Sequence, residues 1–173
     1  METIEEPSTG NGASAQDVDS VATILERESG SMIKEWLARV SADENLFAIK
    51  LDDKTRSSHL PQFFKELVHR LRFPRPLGIK GQPSKSAQEH GLTRRKQGYS
   101  SAMLVEESRM LEVSIFDTLH KNDQRLDSSV LLLDVAVIAD EADSQLAEAM
   151  TSFIGDAKTG TKPKDCPIFM AAL

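Results

Sequence analysis

His90, Arg94 and Gln97 stand four and then three residues apart, so on a helix they line one face. An imidazole, a guanidinium and a carboxamide on one face can bind a small anion or polar ligand, or tie two helices together through a polar network. They belong to the least ordinary run of the chain, His90-Gly91-Leu92-Thr93-Arg94-Arg95-Lys96-Gln97-Gly98-Tyr99. His90, Arg94, Gln97 and Tyr99 are therefore the candidate ligand-binding residues. Gly91 and Gly98 bracket the cluster, and each removes a side chain where another helix, a loop or a ligand can come close. Further along, Glu107 and Arg109, with Glu106 beside them, are candidates for a polar network with basic residues of another helix.

Other chemistry is missing. The chain has no glycine-rich phosphate loop ending in Lys-Ser/Thr, no GxSxG and no HExxH. Its histidines, His59, His69, His90 and His120, form no recognisable metal-ligand spacing. No catalytic residue, no metal and no cofactor is expected, and an enzyme is the least supported class. His90 as an axial haem ligand would need an apolar pocket, whereas Gly91, Thr93, Arg94 and Arg95 surround it with polar groups. A haem- or small-ligand-binding globin-like protein is one alternative reading.

The elements that must position these residues are helices. From Ser86 to Asn122 no proline interrupts, and Leu104, Leu111, Ile115 and Leu119 recur at helical spacing. One helix of about 36 residues, about 54 Å long, is the expectation. Upstream, Val18 to Val40 places Val21, Ile24, Leu25, Met32, Ile33, Trp36 and Val40 on one side, with Gly30 as a possible break and Trp36 as a core anchor. Lys54 to Arg72 carries Leu60, Phe63, Phe64, Leu67, Val68 and Leu71 at threes and fours. Pro61 either starts that helix or kinks it, with Ser58 as a candidate cap. Phe73 to Lys85, with three prolines and two glycines, reads as a loop, and Ser84 or Ser86 can cap the helix after it. A last helix runs from about Leu126 to Phe153, where Gly155 can end it.

Composition agrees with an all-α fold. Aromatic residues are 5% and charged residues 28%, so the core must come from aliphatic side chains and methionine. The expected organisation is a disordered tail over 1–17, a helical domain over 18–154 and a tail or linker over 155–173. The domain is expected to be a bundle of four main helices, four-helix or globin-like, and to pair as a homodimer that covers its surplus apolar surface. One cysteine, Cys166, no signal peptide and no membrane-spanning run point to the cytoplasm and no membrane partner.

Net charge is −6, yet Lys54 to Gly98 holds eleven Lys or Arg against two Glu. That basic segment, 54–96, makes a nucleic-acid-binding helical protein a second alternative. With a negative whole and no interleaved aromatics, the segment is expected to neutralise acidic helices of its own fold, and no nucleic-acid partner is expected.

The combination His90-Gly91-x-x-Arg94-x-x-Gln97-Gly98-Tyr99, then Leu104-Val105-x-Glu107-x-Arg109-x-Leu111 and Ile115-Phe116, resembles the N-terminal sensor domain of RsbRD-type RsbT co-antagonists. The same domain precedes many bacterial sensor histidine kinases. His59 to Arg72 and Leu131 to Leu146 extend the likeness over about Val21 to Phe153. The resemblance implies a non-catalytic, dimeric signal-input domain of a stress-response (stressosome) or two-component system, shaped like the non-haem globin-like modules. Its expected partner is a cognate kinase or STAS-type regulator, although no kinase nucleotide-binding motif follows within this chain.

Overall fold

The long helix expected from Ser86 to Asn122 is two helices joined by a tight turn. The computed structural model describes residues 18–159 and is all-α. In it, α5 spans Lys85–Lys96 and α6 spans Ser101–Lys121. The break follows from Gly98, whose φ of 87° lies in the left-handed region that favours glycine. The Gly98 amide donates to the Arg95 carbonyl at 3.0 Å and the Tyr99 amide to the Arg94 carbonyl at 3.1 Å, the paired bonds of a Schellman ending. Ser100 then caps α6 by accepting from the Met103 amide. Gly98 is thus a terminator, and periodicity on both sides of it conceals the break.

The remaining helices are α1 Val21–Ala42, α2 Glu44–Ala48, α3 Asp53–Arg56, α4 Leu60–Arg72 and α7 Ser128–Thr159, with one 3-10 turn at Asp123–Arg125. Because the expected spine divides, five helices of 12 residues or more stand among the described residues in place of four. Gly30 does not interrupt α1, and a Cβ there would meet nothing within 4 Å. Pro61 opens α4 without kinking it; His59, not Ser58, is the N-cap residue, and its side chain makes no capping bond. Asp52 caps α3 and Ser84 caps α5, each by accepting the amide three residues on.

α7 continues through Gly155 to Thr159, past the expected domain boundary at 154. Gly155 keeps a negative φ, and without a left-handed turn a glycine lowers helix stability by about 1 kcal/mol but does not stop the helix. The tail expected over 1–17, and all of the tail expected over 155–173 except 155–159, lie outside the described residues.

α1 packs between α4 and α6, α5 lies along α7, and α7 also touches α4 and α6. Ile24, Leu25, Met32 and Trp36 from α1 meet Leu60 and Leu67 of α4, Ile115 of α6 and Ile138 of α7 in a core these helices share. At one end Asp19 clips the start of α1 to the 3-10 turn: its amide donates to the Arg125 carbonyl at 2.8 Å, and its carboxylate pairs with Arg27 and Arg125. No described helix is long and apolar enough to cross a membrane.

Candidate functional site

Gly91 sets the geometry of the site. A Cβ at that position would fall 2.0 Å from the Ala149 carbonyl oxygen, so the backbones of α5 and α7 touch there. With that face of α5 held against α7, the side chains of His90 and Arg94 reach Glu107 on α6. The four-residue spacing of His90 and Arg94 is what brings both to one carboxylate.

Glu107 is the centre of the arrangement, with a side chain 3% exposed. Arg94 Nε donates to its Oε1 at 2.8 Å and to its Oε2 at 3.1 Å. His90 Nε2 lies 3.0 Å from Oε1, and His59 Nε2 lies 4.0 Å from the same atom. The backbone carbonyl of Glu107 accepts the indole N–H of Trp36 at 3.0 Å. Arg94 uses its other donors as well: Nη1 reaches Gln97 Oε1 at 2.8 Å and Nη2 reaches the Arg56 carbonyl.

A second buried arginine extends the network. Arg56 donates to Tyr99 Oη at 2.9 Å and to the carbonyls of Leu46 and Ile49 at 3.2 and 2.7 Å. The Arg94 guanidinium stands 4.9 Å above the Tyr99 ring. The network therefore ties α1, α3, α5 and α6 together with the ends of α2 and α4.

Electrostatics follow from burial and pairing. Burial alone would raise the Glu107 carboxyl, but the hydrogen bond from His90 and the charge of Arg94 overcome it and hold the group below the usual range. Burial, then the neighbouring His90 and Arg94, push His59 well below an ordinary histidine, so this imidazole is neutral near pH 7. Its ring stacks on that of His90 with centroids 3.8 Å apart, and its Nδ1 has no hydrogen-bond partner. Burial and the Glu107 charge push the Tyr99 hydroxyl up to about 12.

His59, His90 and Glu107 bring donor atoms within 4.8 Å of one another, two imidazoles and a carboxylate. That donor set suits a divalent metal. The arrangement does not: Arg94 occupies both carboxylate oxygens, and the rings are inclined by only 18°, so their lone pairs run side by side instead of converging. A pocket of about 50 Å³, partly open to solvent, adjoins the three residues, walled also by Ser108, Leu111 and Ala142. It has room for a few waters and none for a haem macrocycle.

Of the residues singled out by sequence, His90, Arg94, Gln97, Tyr99 and Glu107 come together in one network. Arg109 does not. It pairs with Glu106 one turn back on an exposed face, its side chain 59% exposed. Sequence reasoning missed His59, Arg56 and Trp36 as members, because each arrives from a distant segment and no local spacing links them. Three arginines of the basic segment, Arg56, Arg70 and Arg94, are buried inside the fold.

What fold and site define together is an all-α protein with a buried glutamate–arginine–histidine centre. No protein-family model matches the chain, and no curated protein or solved structure matches it.

Proposed function

We infer that this chain is a non-catalytic signal-input domain, dimeric, that couples the state of the Glu107 centre to the position of α7. The observation that carries the reading is the meeting of His90, Arg94 and Trp36 on one buried glutamate, at the point where α5 is locked to α7 through Gly91. A buried ion pair joined to so many backbone carbonyls has few intermediate arrangements, so a change of charge or contact there moves helices as units. A catalytic role has less support, since Arg94 and His90 already satisfy the carboxylate. The resemblance of the His90–Ile115 region to RsbRD-type sensor domains points to the same class, with a kinase or STAS-type regulator in the bacterial cytoplasm as recipient.

The dimer reading draws on the N-terminal part of α7, where Val130, Leu132 and Leu133 are 45%, 81% and 60% exposed. Sedimentation of wild type and of a Leu132→Asp/Leu133→Asp variant checks it. A dimer lost in the variant supports it, and a wild-type monomer at high concentration contradicts it.

The coupling is tested by electron–electron double resonance in a Cys166→Ser background, with spin labels at Ala38→Cys on α1 and Thr151→Cys on α7. Glu107→Gln, which removes the charge and keeps the shape, is expected to shift or split the distance distribution while the protein stays helical. An unchanged distribution in a folded Glu107→Gln protein would rule the coupling out.

A further inference from the structure

The side chain of Arg70 in α4 is 1% exposed, as deeply buried as that of Arg94. Only its Nη2 has a hydrogen-bond partner, Asp140 Oδ2 at 3.2 Å; Nε and Nη1 have none. Glu141 Oε2 stands 3.9 Å from Nε, outside hydrogen-bond reach. It is held there by Arg75 Nη2 at 2.8 Å, while Gln145 holds the other carboxylate oxygen at 3.1 Å. Buried donors are nearly always satisfied, so two orphans on one guanidinium mark a missing partner.

Arg70 lines a cleft of about 510 Å³ between α4, α7 and the segment 73–85. That volume falls within the roughly 300–1,000 Å³ of small-molecule sites. Four cations, Lys65, Arg70, Arg75 and Lys85, line the cleft with three carboxylates, Glu66, Glu141 and Glu148, and Asp140 on Arg70 makes a fourth. The carboxylates are engaged. Glu66 accepts from the Ser84 and Ser86 hydroxyls at 2.8 and 2.9 Å, and Glu148 accepts the Ser84 amide at 2.7 Å. Among the described residues the ion pairs of the cleft are Arg70–Asp140, Arg70–Glu141 and Arg75–Glu141, and neither Lys65 nor Lys85 enters one.

What the cleft leaves unused is therefore donor capacity, and its occupant must be an acceptor. Its size exceeds that of a bare phosphate, and the remaining lone pairs of Glu66 and Glu148, with Gln62 and Gln145, suit hydroxyl groups. We propose that this cleft binds a hydroxylated small-molecule oxyanion, a sugar phosphate or a hydroxycarboxylate, with its anionic group on Arg70 Nε and Nη1 and between Lys65 and Lys85. Both nitrogens are closed to solvent, so the anion reaches them by displacing the Glu141–Arg75 pair, which frees Arg75 to join it. Gln145 borders both places, but the cations of the cleft take no part in the Glu107 centre, so failure here leaves that reading untouched.

Titration calorimetry on the full chain at low ionic strength tests it, with inorganic phosphate, glucose 6-phosphate and citrate as separate probes. Saturable one-to-one binding is expected, tighter for glucose 6-phosphate or citrate than for phosphate, and whichever is tighter names the anionic group. The exposed pair Lys65→Ala/Lys85→Ala keeps the fold and is expected to weaken binding about tenfold or more, the scale of one charge-assisted contact. Arg70→Met is expected to abolish it, and the lysine pair decides the matter if that variant fails to fold. No saturable heat with any probe up to about 10 mM, a limit near 3 kcal/mol of affinity, would overturn the proposal. Equal binding by the lysine variant would overturn it as well, and phosphate binding as tightly as the larger probes would overturn the hydroxylated class.

Discussion

Arg94 in α5 and Arg70 in α4 each have a side chain 1% exposed, and each faces acidic residues on a neighbouring helix. Arg94 has a partner on Nε, Nη1 and Nη2, two of them charged or amide side chains and one a backbone carbonyl. Arg70 has a partner on Nη2 alone. Depth is equal and satisfaction is not, which separates two uses of a buried charge. The first locks an arrangement of helices, because any movement leaves desolvated groups unpaired. The second keeps donors in reserve beside a cleft.

The largest effect should come from breaking the locked member. Glu107→Ala leaves the Arg94 charge buried and unpaired, and urea titration is expected to show a loss of about 3–5 kcal/mol. Gly91→Ala attacks the same centre from behind. The added methyl meets the Ala149 backbone, which cannot swing aside as a side chain can, so α5 must move off α7 at a cost of about 3 kcal/mol. Arg70→Met is expected to be milder, about 1–2 kcal/mol, because Asp140 is 22% exposed and keeps the Gly78 amide at 2.9 Å. Equal losses for Glu107→Ala and Arg70→Met would erase the distinction.

Acid should separate contributions within the locked centre. His59 is depressed in the folded state, so between its folded value and the ordinary histidine value of about 6.5 the unfolded chain binds more protons. Stability therefore falls as pH drops below about 6.5, by at most about 1.4 kcal/mol per pH unit for one proton. His59→Gln should flatten that slope in denaturation curves taken from pH 7 to pH 5. Glu107 is also depressed, so its contribution holds above the unfolded carboxylate range and is lost only as pH falls through its lower folded value. The smallest effect is expected outside both regions. Burial and Asp143 raise the Glu112 carboxyl, so its charged form disfavours the fold near neutral pH. Glu112→Gln should stabilise by less than about 0.5 kcal/mol after solvent screening, seen as a small rise in Tm.

The two arginines also differ in how far a sequence announces them. His90, Arg94 and Gln97 share a helical face, so their association was legible from spacing alone, and Gly91 marked a close approach that α7 provides. The apolar stripes of α1 and α4 were equally plain. Gly98 was not: the apolar pattern resumes beyond it in phase, and only backbone dihedral angles distinguish a spacer glycine from a terminator. His59 and Arg56 were missed for a different reason. They join Glu107 and Tyr99 across 43 or more residues of chain, and local spacing carries no trace of such contacts. Arg70 sat among the basic residues of its segment with nothing to mark it, since burial without partners is a property of packing. Arg109, two residues beyond Glu107, faces solvent because that offset turns it about 200° around α6.

The most direct test of the contrast is a nitrogen-detected NMR spectrum of the arginine Nε–H groups, with Arg94 and Arg70 assigned by substitution. A slowly exchanging Arg94 signal that glucose 6-phosphate and citrate leave in place is expected, with an Arg70 signal that moves as one of them is added. Two signals with the same exchange rate and the same indifference to both anions would contradict it.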